Sequence, residues 1–557
     1  MKRILICIPA LLVLFQFAFA ADGERLRERV YISTDRDVYV AGDRVWMSAY
    51  CIDAATGRLS DFSRIAYVEV HSPDGTVETA KVALDGGRGA ASLILPNSIA
   101  TGNYRLLAYT SLGVSETGYN PDSDGRTISV FNTFSTARTE GGVTVEPGAP
   151  EAPARSECGA LSLSVSGNRS VRITNNGTSS ALFNLSVRHS DGIPSPDVRG
   201  IAGFCEGLHG VAAPLGFSLF TSEYEGEIIR ARVTGTDDAG LKALEGKYAF
   251  ISSPGNGSNV YSSTIDAGGN VTFYTTNIYG NQDMFLEIEG VDRDNICHLD
   301  IQRPFPDFPV GDIDPLVLCS GYADALQLRS LGMQLGHNFD ADTLYTPLPT
   351  LPGLEFNDQE CKVYNLDDYT RFPVMEELFT EFIQEIRVRR SGSGKELQVR
   401  TIDALNNSYF PQGTALVLLD GVPVLDHEKI LAYDPLLVRR IEVYPGAYFL
   451  GIRNFRGVVN FVTYKGTLPS MKFEDNVRIV SFQGCSIPMA YTCEGVGKDW
   501  PDYRQTIWWH PLLRLAPGES MEIKYKAPDY SGAFEVFAEG LTEAGEPLSQ
   551  TCLISSM

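Results

Sequence analysis

The chain has 557 residues, enough for several domains that each bury a core. Apolar residues make up 43% and charged residues 21%, which excludes a disordered, collagen-like or multi-span helical membrane protein. A formal net charge of −23 repels nucleic-acid phosphates and anionic lipid heads, so nucleic acid is not expected as a partner.

Lys2 and Arg3 precede an apolar run from Ile4 to Phe19 that ends in Ala18-Phe19-Ala20. This pattern reads as a secretory signal peptide, residues 1–20, cut after Ala20. No later stretch reaches ~18 apolar residues, so no membrane-spanning segment is expected in the mature chain. Nine of the ten cysteines lie beyond the cut, with no CxxC and no Cys/His ligand box. A zinc site is therefore not expected. Cys485 and Cys493 stand close enough for a local bridge; the alternative is small buried hydrophobes.

Residues 24–132 alternate short strand patterns with turns, which predicts a β-sandwich. Residues 133–158, with Glu146-Pro147-Gly148-Ala149-Pro150, read as a flexible or extended linker. A β-rich domain is expected over 159–225 and a second sandwich over 226–302. The Pro-rich stretch 303–369 reads as an irregular connector, and 467–557 as a C-terminal sandwich. A glycine-to-strand pattern recurs three times. Gly89 leads to Ser92–Leu95, and Gly102 to Tyr104–Ala108. Gly269 leads to Val271–Tyr274, and Gly280 to Met284–Glu289. Gly518 leads to Met521–Tyr525, and Gly532 to Phe534–Glu539. A turn glycine feeding one strand and then another is the mark of a repeated sandwich module.

The segment Tyr31-Ile32-Ser33-Thr34-Asp35-Arg36-Asp37-Val38-Tyr39-Val40-Ala41-Gly42-Asp43-Arg44-Val45-Trp46 resembles the opening of a macroglobulin domain of the alpha-2-macroglobulin type. The resemblance implies the sandwich module over roughly 28–132. The internal thioester motif of those proteins, Gly-Cys-Gly-Glu-Gln, is absent, and Cys493-Glu494-Gly495 does not replace it. Thioester chemistry is therefore not implied.

The sharpest local motif lies in 370–466. Val374, Met375, Leu378, Phe379, Phe382 and Ile383 have helical spacing and give one apolar face. A strand then runs into a tight turn at Asp420-Gly421. Ile441-Glu442-Val443 and Gly446 follow, and then Gly457-Val458, Asn460 and Thr463. These residues, in this order, resemble the plug domain of TonB-dependent outer-membrane receptors. Such receptors continue into a barrel of about 22 strands. Only 91 residues follow Gly466, too few for that barrel at ~10 residues per spanning strand. The resemblance therefore implies a plug-like domain without its pore. Macroglobulin-like modules joined to such a plug resemble a group of exported Gram-negative proteins.

No nucleophile motif, metalloprotease box or phosphate loop is present, and the seven histidines are scattered. No catalytic residue, cofactor or metal is assigned. Asn120, Asp122, Asp124 and Gly125 imitate the start of a calcium loop, but Phe131 stands where its closing Glu belongs. Asp292, Asp294 and Asp300 form a similar cluster. A solvated turn is the plainer reading of such loops. Tyr503, Trp508 and Trp509 are a candidate aromatic platform for a sugar or peptide; buried sandwich aromatics are the favoured reading. Glu442 with Arg439 is expected to make structural contacts, and Asp420 to accept turn hydrogen bonds.

The expected fold is mainly β, with several immunoglobulin-like or macroglobulin-like sandwiches and one small α+β plug-like domain. The expected function is a non-enzymatic interaction scaffold, periplasmic or outer-membrane-associated. It would engage an envelope protein, with an outer-membrane barrel as one candidate. A glycan- or peptide-binding accessory of nutrient uptake is the first alternative, and a hydrolase the second.

Overall fold

Strand patterns dominate the sequence, and strands dominate the fold. The computed structural model describes residues 27–115, 120–140, 142–147, 156–166, 169–208, 223–255, 259–276, 278–291, 297–307, 311–339, 345–348, 361–391, 394–402, 407–491 and 500–554. The expected signal peptide and Cys493 lie outside these residues. The chain forms two compact units: 1–224 with 308–348 and 488–557, and 225–307 with 349–487. Among the described residues, no helix is long and apolar enough to cross a membrane.

The first unit holds two β-sandwiches. In one, Glu28–Thr34, Arg44–Asp53 and Arg88–Ile94 form a sheet. It faces a five-stranded sheet built from Val38–Val40, Arg126–Phe131, Gly102–Tyr109, Ile65–Ser72 and Gly75–Ala83. Strand alternation explains the sequence of Arg44–Asp53. Val45, Met47, Ala49 and Cys51 point into the sandwich core, while Trp46, Tyr50 and Ile52 enter other apolar clusters on the opposite face. With both faces covered, the strand needs apolar residues at nearly every position.

The 31–46 motif forms a local knot. The Asp35 carboxylate accepts from the Tyr39 hydroxyl at 2.8 Å and from the Trp46 amide at 3.2 Å. Asp43 accepts from the Val40 amide at 2.9 Å, in a turn where Gly42 has φ +88°. A side chain at Gly42 would strike Asn97 at 2.5 Å.

The second sandwich corrects the expected domain boundaries. Leu161–Ser166, Ser170–Asn175 and Ser520–Lys524 form one sheet. Thr506–Leu515, Ala181–Ser190, Ala533–Thr542 and Pro547–Ile554 form the other. The strands of 161–190 and 506–554 therefore share one core, lined by Phe183, Leu185, Trp508, Phe534 and Val536. Periodicity marks each strand but carries no information about a partner several hundred residues away. The linker and connector are also more ordered than expected. Val143–Glu146 pairs in parallel with Leu316–Cys319, and Ala323–Phe339 is a helix. Arg329 of that helix ties it to both sandwiches. Its Nε donates to Asp191 at 2.6 Å and its Nη1 to the Val38 carbonyl at 2.6 Å.

A buried ionic layer joins the two sandwiches. Arg126 pairs with Asp37 and stands 3.7 Å from Glu539. Arg188 donates to Glu535 at 2.5 Å and lies 3.8 Å from Asp37. Glu539, 0% exposed, accepts from the Ser33 hydroxyl at 2.7 Å and from the Ile201 amide at 2.9 Å. The Thr506 hydroxyl reaches Asp35 at 2.6 Å.

In the second unit, Asn270–Tyr274, Ile228–Thr234 and His298–Ile301 face a sheet of Val260–Thr264, Tyr248–Ser252, Asn281–Ile288 and Arg478–Gln483. The last strand comes from beyond 466, a further departure from the expected boundaries. All three copies of the glycine-to-strand repeat occupy equivalent places. In each sandwich the first strand lies in the three-stranded sheet and the second in the facing sheet. The glycines therefore turn the chain across the core, not between neighbouring strands.

The rest of the second unit is an α+β module. Its sheet runs Lys362–Asn365, Val438–Leu450, Arg453–Thr463, Leu416–Leu419, Val422–Pro423. The helix Met375–Glu381 buries Met375, Leu378 and Phe379 against Val417, Leu419, Ile441, Val443 and Phe461. The helical face read from the sequence is thus the packed one, except that Val374 is exposed.

Candidate interaction site in the α+β module

Leu419 pairs with Val422, so Asp420 and Gly421 are the two residues of a hairpin turn. Their φ values are +47° and +84°. A two-residue turn with both central φ positive matches the twist of its strands, and Asp-Gly suits it because both residues tolerate the left-handed region. The buried Asp420 carboxylate accepts from the Thr463 amide and hydroxyl, both at 2.7 Å, and from the Leu468 amide at 2.8 Å. The Gly421 amide donates to the Asn460 side chain at 3.1 Å. Asn460 donates in turn to Glu442 at 3.0 Å, and Arg440 donates to Glu442 at 2.7 Å.

Asp420 with Thr463, and Gly421 with Asn460 and Glu442, therefore form two hydrogen-bonded sets that meet at the turn. The partner of Glu442 is Arg440, not the expected Arg439. Residues two apart share a strand face, and Arg439 points the other way into solvent. Ile441, Val443 and Val458 are fully buried. Gly446 lies where the pairing slips between Tyr444 and Ala447, a bulge that its φ of +118° permits. A Cβ at Gly457 would meet Val399 at 2.5 Å. These motif residues lock the sheet, and their polar groups face one another.

The aromatic platform does not assemble. Trp508 and Trp509 are neighbours on one strand and point to opposite faces. Trp508 enters the sandwich core; Trp509 is 0% exposed and packs with Trp46. Tyr503 instead stacks on Tyr530, with ring centroids 5.8 Å apart. The carboxylate of Asp124 accepts from the Asn120 amide at 2.9 Å and lies 3.6 Å from Arg29. The Asp122 side chain, Asp292 and Asp294 lie outside the described residues. Asp300 pairs with Arg478 at 2.6 Å.

Sequence reasoning missed a cleft of about 490 Å³ within the second unit. Its lining combines Glu287, Glu289, Asp426 and Glu474 with Lys429 and Arg453. Arg453 pairs with Glu289 at 2.6 Å and Lys429 with Glu474 at 3.0 Å. His427 also lines it; burial pulls its titration below the usual range, and its Nδ1 accepts from the Leu397 amide at 2.9 Å. The ring proton therefore sits on Nε2. None of these residues is close in sequence to all the others, so no local motif could reveal the cleft.

Burial pushes Glu287 up to about 7, against the pull of Lys429 and with the help of Glu289, Asp426 and Glu474. An ordinary glutamate titrates near 4.5. Between these values the folded chain holds a proton that the unfolded chain has released. Stability therefore falls as pH rises through this window, and the loss is complete above it. Glu287→Gln is expected to remove that slope and to stabilise the second unit by on the order of 2 kcal/mol above neutral pH. Guanidinium unfolding at about pH 5 and about pH 8 checks this; an unchanged slope in the variant would refute it.

The same module exposes an apolar patch. Leu436 and Tyr464 are each 51% exposed. Arg371 joins them: its guanidinium lies 6.0 Å from the Tyr464 ring and donates to the Leu436 carbonyl at 3.1 Å. The Tyr464 hydroxyl donates to Asp367 at 2.6 Å. Tyrosine and arginine around exposed aliphatic surface are typical of protein interfaces.

No protein-family model matches the chain, and no curated protein matches it. Among solved structures it is similar to Escherichia coli alpha-2-macroglobulin activated by porcine elastase, at 8% identity and a TM-score of 0.23. That match covers 95% of this chain and 43% of the other. Salmonella alpha-2-macroglobulin reacted with methylamine gives 10% identity and a TM-score of 0.24, over 96% and 40% of the two chains. The Escherichia coli adhesin FdeC gives 12% identity and a TM-score of 0.15, over 48% and 62%. The chain spans about two fifths of the length of those macroglobulins. Likeness at this level carries no argument about function.

Proposed function

We propose that this chain is a non-enzymatic interaction protein of the cell envelope. The α+β module, which carries the plug-type sequence resemblance, docks on an envelope protein, and the sandwiches support it. The observation that carries this reading is the exposed pair Leu436 and Tyr464 around Arg371. The motif residues beside it are occupied with one another, so recognition falls to the surface. A second reading, binding of a glycan or peptide, is favoured by the 490 Å³ cleft with its charged lining.

Crosslinking in the native envelope, followed by affinity purification and mass spectrometry, tests the first reading. One reproducible envelope partner is expected, with crosslinks in 361–466. Leu436→Asp with Tyr464→Ser should reduce that recovery severalfold while leaving unfolding within about 1 kcal/mol of the parent. Recovery of the chain alone, with thermal stabilisation by a glycan or peptide, would favour the cleft instead.

A further inference from the structure

We propose that the hairpin Ile386–Ser391/Gly394–Val399 is a docking edge for an extended acidic polypeptide segment. This deepens the interaction reading above, and rests on it, by naming the chemistry of a partner.

The hairpin is basic in an acidic chain. Between 385 and 400 stand Arg387, Arg389, Arg390, Lys395 and Arg400 against Glu385 and Glu396, while the whole chain carries −23. Register sorts these residues by face. Ile386 opposes Val399 and Val388 opposes Leu397, and these four pack into the module core. Arg387 opposes Gln398 and Arg389 opposes Glu396 on the other face, where Gln398 is buried and both arginines are exposed. Arg389 and Arg390 are exposed, and neither makes an ion pair among the described residues.

One arginine is already held in place. Arg387 donates from Nε and Nη2 to the Gln398 side chain at 3.0 and 2.8 Å. Its guanidinium lies 4.2 Å from the centre of the Phe410 ring, and that of Arg400 lies 5.3 Å from the same ring. Such stacking limits side-chain freedom before a partner arrives. On the neighbouring strands, Ile402 and Tyr409 expose apolar surface.

The hairpin is a two-stranded sheet, so among the described residues the outer edge of Ile386–Ser391 has no strand partner. An added strand would present alternate side chains about 6.8 Å apart, the repeat at which Arg387 and Arg389 stand on their face. Carboxylates at alternate positions would meet guanidinium groups, and the backbone would meet the open edge. A lipid surface or an acidic polysaccharide could use the charge but not the edge, so a polypeptide fits both features.

The test uses the full chain and a fluorescein-labelled peptide of alternating Glu and Val, followed by fluorescence anisotropy. Binding is expected, and it should weaken as salt rises. Arg389→Gln with Arg390→Gln should weaken it about tenfold, as should proline at alternate positions of the peptide. Equal affinity of parent and double variant would overturn the proposal. So would equal affinity for the proline peptide, which would leave charge attraction without strand addition. Arginine-dependent binding to phosphatidylglycerol vesicles in place of the peptide would also overturn it. Leu436→Asp with Tyr464→Ser should leave peptide binding unchanged. Envelope crosslinks that survive while arginine-dependent peptide binding is absent defeat the docking edge alone. Peptide binding without any envelope crosslink defeats the earlier reading alone.

Discussion

Asp420→Ala is expected to lower the stability of the second unit by on the order of 4 kcal/mol. The substitution removes a buried carboxylate that accepts three hydrogen bonds, two from Thr463 and one from Leu468. Those donors stay buried without their acceptor. Alanine must also adopt a φ of +47°, which its Cβ resists. Asparagine tolerates that conformation and keeps one acceptor oxygen, so Asp420→Asn should cost less, about 2 kcal/mol. The four tryptophans, at 46, 500, 508 and 509, all belong to the first unit. Tryptophan fluorescence thus follows one unit, while far-ultraviolet circular dichroism follows both. Asp420→Ala should shift the dichroism transition that tryptophan does not report. A shift confined to the tryptophan transition, or none at all, would contradict the turn network.

Arg126→Met is expected to destabilise the first unit by on the order of 4 kcal/mol. Arg126 is buried between Asp37 and Glu539. Replacing it with an apolar side chain leaves these carboxylates buried without that counter-charge. Burial alone would raise the Asp197 carboxyl, but Arg126 and Arg199 hold it below the usual aspartate range. A carboxyl lowered in this way stabilises the fold above its unfolded titration point, and that contribution disappears as pH falls through the folded one. The variant should therefore lose stability most near neutral pH and show a flatter acid limb. Here the tryptophan transition should move and the second unit should not. A loss below about 1 kcal/mol would show that the layer is hydrated enough to do without the arginine.

The parts of this fold that could be read from the sequence are those in which cause and effect lie within a few residues. The Asp420-Gly421 turn is legible because few other residue pairs tolerate its backbone. The Asp35 knot is legible because its main donors and acceptors fall between 35 and 46. The helix Met375–Glu381 and its buried face follow from spacing alone. Two other features were not legible. Trp508 and Trp509 read as buried sandwich aromatics, but that Trp46 covers Trp509 lies beyond local pattern. The cleft around Glu287 needs residues 287, 426, 453 and 474 together, and nothing local links them. The basic hairpin lies between these cases: its charges are plain in the sequence, but only the register separates the outward arginines from the core residues.

The pairing of Ala181–Ser190 has a consequence for how the protein must be made. This strand is flanked on both sides by strands nearer the C-terminus, Thr506–Leu515 and Ala533–Thr542. His189 bonds Gln505, 316 residues later. A nascent chain therefore carries this strand with both edges open while the whole second unit is translated. The first sandwich can close early, but its neighbour must wait until Ala533–Thr542 has been made. A premature stop after 487 would not trim a terminal appendage: it would leave half a sandwich, with Phe183, Leu185 and Val187 bare. Holdase chaperones should meet the protein at this stage, and the open edges of Ala181–Ser190 are where aggregation would begin.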